Sequence, residues 1–321
     1  MLAEKKIDME SRYPYAHLRA SRDGNGQGKN ILGFPIRGHV QLMFYRKDIF
    51  DKLGIKAPNT WDEMVEHGKL ISSKTDLSGV AMYYGKTSGQ NLMIWFNYLW
   101  GAGGDLLDAK GQPAFNSPAG IAATQAYIDV LLKHKAAPSA SASFNETDAV
   151  NSVAQGKSAM VPVWWWRYAS LVDPKVSTLK PEQVAFAPLP SMPGKPNTTY
   201  TNTWFYGINK NSKKKAAAME FLTWLSNPDI ERSVLLDKSM NEVVAMQTQN
   251  LIDADVNLRY KGMHVFGAQA LKGAKGTPLF PQWPQVSDIL EASISELASG
   301  KTQVKSTLDD AAARVRKAMR G

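Results

Sequence analysis

Apolar residues fall along this chain at two spacings. Trp61, Met64, Val65 and Ile71 stand at helical intervals among polar neighbours, and Thr60-Trp61-Asp62-Glu63 has the form of a capping box, so a helix is predicted from Trp61 to Ser72. A second is predicted from Ser117, with Pro118 in the first helical position and Ile121, Ile128, Leu131 and Leu132 along one stripe. Lys215 to Leu225 gives a third, with Met219, Phe221 and Leu222 as its apolar side. Near the end, a helix from Pro284 to Ala298, a break at Gly300, and Val304, Leu308, Ala311, Ala312, Val315 and Met319 at helical spacing complete the set. Short apolar runs alternate with these helices: 30–34, 41–45, 79–83, 159–164, 184–187 and 204–208. Strands interleaved with helices predict an α/β fold with covered sheets.

The run at 159–163 leads into three consecutive tryptophans, Trp164, Trp165 and Trp166. If the strand continued through them, its alternation would aim Trp164 and Trp166 to one face and Trp165 to the other. One reading is a cleft platform for the flat C–H face of a sugar ring; the other is core packing, since indoles bury large areas.

The length of 321 residues favours two lobes. A 44% hydrophobic and 21% charged composition is ordinary for a globular chain, and no apolar run reaches membrane-spanning length. With no cysteine, disulfides, thiolate metal sites and cysteine nucleophiles are excluded. The first eight residues are charged and carry no apolar stretch of the secretory type, so either the protein acts in the cytoplasm or an export segment precedes this sequence. The net charge of +9 raises the question of nucleic acid. Its distribution argues against one: Lys213-Lys214-Lys215 opens a helix as a solvated run, while Arg314, Arg316, Lys317 and Arg320 sit where a helix C-terminus favours cations.

Catalytic and cofactor motifs are absent. Gly85-Lys86-Thr87 has Val80 where the first glycine of a phosphate loop should stand, and the Gly101–Gly104 segment lacks the third glycine of a dinucleotide fingerprint. The five histidines are dispersed without metal-ligand spacing, there is no GxSxG elbow, and Asp62/Glu63 and Asp309/Asp310 fall at a helix start and on a solvated face. An enzyme acting on carbohydrate would need two opposed carboxyl groups, and no convincing pair appears. No cofactor is expected.

Several segments together resemble the extracellular solute-binding proteins of ABC importers, in the sugar and polyol branch related to the maltose-binding protein. They are Gly33 to Phe50 with Leu53-Gly54-Ile55 and Pro58 to Glu63; Phe144-Asn145-Glu146 through Gln155 to Met160; Gly207 to Lys210 leading to Ala217–Leu222; and Pro281 to Gln285. The resemblance covers about Gly28 to Gly321. It implies a type II periplasmic-binding-protein-like fold, two α/β lobes closing by a hinge on a small carbohydrate or polyol that is passed to ABC transporter permease subunits, outside the cytoplasmic membrane and without catalysis. The chain would cross between lobes near 37–41, near 200–203 and around 262–271, giving an N-lobe from 1–38 plus 203–265 and a C-lobe from 39–202 plus 266–321. Relatives carry about a hundred residues before the segment matching Lys29, so an incomplete N-lobe and a trimmed family member with impaired binding form the alternative expectation.

The resemblance also implies a site. Trp166 matches the stacking tryptophan, with Trp164 as the alternate if the register slips. His39 stands where relatives often place a carboxylate, beside Arg37 as a cation that could admit an acidic ligand. Gln90, Asn91 and Trp95 precede the Gly101 turn, Trp95 being equally a core candidate. Asn202 and Trp204 lie on the inter-lobe return, and Trp283 and Gln285 on the last loop.

Overall fold

A computed structural model describes residues 7–240 and 242–320. Met1–Lys6, most of the charged opening segment, lie outside the described residues. Two compact units form. The first takes the chain as far as Gln41, then Trp164–Trp166, then Thr199–Phe280; the second takes Leu42–Val163, Arg167–Thr198 and Pro281–Gly321. The sequence expectation drew these boundaries differently. The Trp triplet goes with the first unit because Trp165 packs on Gly267 and His264 there. No crossing occurs at 262–271, where the chain forms the helix Met263–Lys272 inside the first unit; it leaves instead after Phe280.

The two apolar runs at 30–34 and 41–45 fuse into one strand, β1 (Gly33–Arg46), which runs through the boundary between units. The remaining strands are β2 (Ser78–Val80), β3 (Ser158–Trp164), β4 (Val184–Pro188), β5 (Tyr200–Gly207) and β6 (Lys275–Gly276). In the first unit β1 pairs antiparallel with β5, and β5 pairs in parallel with β6 at Tyr200 and Thr201. The β1–β5 register shifts between Pro35 and Arg37, where a proline cannot donate to the ladder and a bulge absorbs the extra residue. Beyond it, Arg37 faces Trp204 and His39 faces Asn202. Directly opposed residues share a face, as do residues two apart on one strand, so these four side chains belong to one face of the pair. The apolar base of this unit gathers Met9, Tyr13, Leu18, Phe34, Met219, Leu222 and Met246.

In the second unit β1 pairs antiparallel with β4 from Leu42 to Arg46, and β2 pairs in parallel with β3. The helix Trp61–Lys74 starts as expected, with Thr60 Oγ1 accepting the Glu63 N–H at 3.1 Å. The reciprocal arm of the box differs: the Glu63 carboxylate reaches past the cap to the Asn59 N–H at 2.7 Å. Ser117 caps Pro118–Leu132, and Trp283–Ala298 and Val304–Ala318 flank Gly300, whose φ of 73° is the left-handed turn a glycine permits. The helix Gln90–Gly101, with nearly every residue buried, fills the middle of this unit.

One buried carboxylate ties that core to the chain before it. Glu291, 4% exposed, accepts backbone N–H bonds from Thr87 and from Gly89 (2.7 Å), while its own carbonyl accepts from Asn91 Nδ2 at 3.0 Å. Glu291→Ala leaves both buried N–H groups unpaired and is expected to destabilise the protein by about 2 kcal/mol. Urea unfolding followed by circular dichroism would show it, and a change below about 0.5 kcal/mol would mean water replaces the carboxylate.

Candidate functional site

The strand that carries the tryptophans stops at Trp164, and Trp165–Arg167 form a 3-10 turn. The turn, rather than continued alternation, separates the indoles. Trp165 is fully buried, with its ring edge-on to His264 at 5.4 Å and pressed onto Gly267; Trp164 is 5% exposed and Trp166 partly exposed. All three converge on His39. The Trp164 and Trp166 ring centroids lie 5.9 and 6.1 Å from the imidazole, and Trp165 Nε1 donates a long 3.4 Å hydrogen bond to His39 Nδ1. Trp164 also meets Tyr200 at 5.8 Å, whose hydroxyl shares a 2.7 Å bond with Thr277 Oγ1.

An indole N–H can only donate, so His39 Nδ1 accepts and the proton sits on Nε2. The ring stays neutral: burial drives its pKa down to about 3, and the nearby Arg37 and His17 push the same way. Arg37 is exposed, and its guanidinium lies 5.7 Å over the Trp166 ring, within the range of a cation–π contact. Among the described residues it makes no ion pair. With Asn202 partly exposed opposite His39 and Trp204 62% exposed opposite Arg37, the face of β1 and β5 carries four of the residues singled out in the sequence, and Trp164 and Trp166 join them in the first unit.

The other five lie in the second unit, and three of them make hydrogen bonds within it. Trp95 is fully buried, its Nε1 donating to Thr124 Oγ1 at 2.8 Å, which settles the core alternative for it. Asn91 is fully buried and its Nδ2 bridges the Tyr84 and Glu291 carbonyls. Gln90 Oε1 accepts the Glu146 N–H at 2.9 Å and so serves the start of the helix Glu146–Ala154. Trp283, expected on a loop, opens the helix Trp283–Ala298 and is partly exposed, with Phe96 at 6.1 Å; Gln285 is exposed on the same helix.

Sequence reasoning missed the support behind the cluster: Trp165, Gly267, His264 and Tyr200. A glycine inside a helix pattern is a signal of close approach and could have pointed to Gly267. Nothing in the sequence announced His264, whose ring sits between Trp165 and Tyr260 and whose pKa burial lowers to about 3. Among the described residues no group of three or more His, Cys, Asp or Glu side chains could hold a metal ion, and no helix is long and apolar enough to cross a membrane.

The architecture is that of type II periplasmic binding proteins. The model of the bacterial extracellular solute-binding protein family matches residues 9–231, and the chain belongs to that family. A probable amino-acid ABC transporter periplasmic-binding protein of Sinorhizobium fredii is 28% identical over 244 residues, 75% of this chain and 53% of its own length, so the chain spans about half of that relative. In three dimensions, maltose-bound MalE3 of T. maritima superposes with a TM-score of 0.84 at 24% identity, covering 98% of this chain and 78% of that one. The solute-binding protein of Agrobacterium radiobacter K84 in complex with ribitol gives 0.81 at 24% identity, covering 98% and 77%.

Proposed function

We propose that this chain is a non-enzymatic carrier that binds a sugar, polyol or related small solute for delivery to the permease of an ABC importer, in the periplasm or at the cell exterior. The observation that carries this reading is the convergence of Trp164, Trp165 and Trp166 on His39, beside Arg37 and Asn202. An aromatic wall with a few polar atoms at its rim is the chemistry a sugar ring asks for: apolar C–H faces against indole, hydroxyl edges against donors and acceptors. Family membership and the maltose and ribitol held by two proteins of the same fold support it. In this reading Trp166 stacks on the ligand, Trp164 backs it, and His39, Arg37, Asn202 and Trp204 provide the rim. Trp283, partly exposed, and Gln285, exposed, stand at the start of their helix in the second unit. Asn91 and Trp95 are assigned to the second unit's core, and Gln90, half-buried, to the start of the helix Glu146–Ala154.

A thermal-shift screen against monosaccharides, disaccharides, polyols and sugar acids tests the proposal, because a ligand that binds only the folded state raises the melting temperature by mass action. Trp166→Ala is expected to weaken whichever ligand is found by about 2 kcal/mol, roughly thirtyfold in Kd, with little loss of stability because the ring is partly exposed. No shift with any compound would defeat the carrier reading; an unchanged Kd in the variant would defeat the stacking role alone.

A further inference from the structure

The polar inventory of the β1–β5 face is lopsided. Neither β1 (Gly33–Arg46) nor β5 (Tyr200–Gly207) contains an aspartate or glutamate, and the Trp triplet adds none. The Arg37 guanidinium can only donate. His39 presents Nε2–H, because Nδ1 is occupied by the Trp165 N–H. Asn202 is the partly exposed side chain here that offers both a donor and an acceptor; Gln41 and Tyr200, on the same face, are buried, and the Tyr200 hydroxyl is bonded to Thr277 Oγ1. A neutral sugar brings hydroxyl protons that need acceptors, and this face supplies few; a carboxylate on the ligand brings acceptors only and matches donors that would otherwise face one another.

Arg37 is also poised for such a group. Its fork is laid over the Trp166 ring, and it makes no ion pair among the described residues. Two carboxylates line a recess that Arg37 also borders. Glu231 is held by the Met246 and Gln247 N–H groups (3.0 and 3.2 Å) and by Asn250 Nδ2 (2.7 Å), and Glu242 is exposed to solvent. Neither forms an ion pair with the guanidinium within 4.0 Å. A chain of net charge +9 adds a long-range field that attracts anions.

We infer that the preferred solute is an acidic sugar derivative, a polyhydroxy acid or uronic acid, whose carboxylate is taken by Arg37 in a bidentate pair while its carbon skeleton lies against Trp166. The inference rests on the carrier reading above and narrows its substrate class. Its test is calorimetric titration with matched pairs that differ only in the acid group: D-gluconate with D-glucitol, D-mannonate with D-mannitol, D-glucuronate with D-glucose, and D-galacturonate with D-galactose. In at least one pair the acid is expected to bind ten times more tightly or better. Arg37→Gln is expected to bring that acid to the level of its neutral partner, while Arg37→Lys, which keeps the charge but loses the fork, retains part of the preference. Neutral members binding as tightly as the acids, or an acid preference untouched by Arg37→Gln, overturns the inference and leaves the carrier reading standing. No heat with any member of any pair overturns the inference, and the wider thermal-shift screen, with its disaccharides, then decides the carrier reading. Circular dichroism of each variant confirms that the exposed Arg37 position has been changed without loss of fold.

Discussion

Lowering the pH from 7 to 5 is expected to destabilise the first unit severely. Three histidines are buried there in neutral form: burial brings His17 to about 4, His39 to about 3 and His264 to about 3. His17 gives Nδ1–H to the Met246 carbonyl at 3.2 Å and packs under Gly38; His264 has no hydrogen-bond partner on either ring nitrogen and rests on aromatic contacts alone. The unfolded chain takes up these protons near pH 6.5 and the folded chain only near 3 to 4. Stability is therefore complete above about 6.5 and declines as pH falls toward the folded values, at about 1.4 kcal/mol per pH unit for each group. Together the three lose roughly 6 kcal/mol between pH 7 and 5, comparable to the whole stability of many domains. Glu231 works in the opposite sense, since burial raises its carboxyl and protonation then favours the folded state, but it is one group against three. Urea midpoints from pH 7.5 to 4.5 measure the slope. His264→Phe keeps the ring contacts and removes one titration, so its slope should be shallower by about a third. A midpoint flat down to pH 4.5 would show that water or rearrangement relieves these rings.

Gly267→Ala is expected to cost about 3 kcal/mol, the upper end for forcing a side chain into a packed core. A Cβ at this position would lie 2.0 Å from Trp165 Cζ3 and 2.6 Å from Cε3, and the rigid indole can yield only by moving as a whole. Its movement takes Nε1 away from His39 Nδ1, already a 3.4 Å bond, and frees the imidazole tautomer that sets the donor pattern of the face. The substitution should thus weaken ligand binding at least tenfold while touching no ligand. Urea unfolding and calorimetry report the two effects separately. If Trp165→Leu is made first, the added methyl should become nearly harmless, since a double-mutant cycle isolates their coupling. A stability change under 0.5 kcal/mol in the single variant would mean the helix Met263–Lys272 shifts to make room.

Periodic and capped elements were legible because their signals are local. Thr60, Ser117 with Pro118, and Gly300 mark helix ends that the structure keeps. The helix Gln90–Gly101 escaped, since a segment buried on nearly all sides has no polar face to create a period. The strand pairs were not legible at all: β1 finds β5 far along the chain, and only that register reveals that Arg37, His39, Asn202 and Trp204 share a face. The tryptophan triplet stood out for its composition, but the turn at Trp165 and the glycine beneath it are facts of packing that no spacing rule encodes.

The sharing of β1 between units also governs how the protein comes into being. His39 waits for Thr201, 162 residues downstream, before its carbonyl gains the hydroxyl that accompanies sheet pairing. A ribosome adding about 5–20 residues per second needs roughly 8–30 seconds to supply that partner, and longer to deliver the stretch ending at Phe280. During that interval an apolar half-strand has no mate. The first unit is built from separated stretches and closes its β1–β5 pair only once Tyr200–Gly207 has emerged, so a holdase that shields the emerging polypeptide would have its main task between the synthesis of β1 and that of β5.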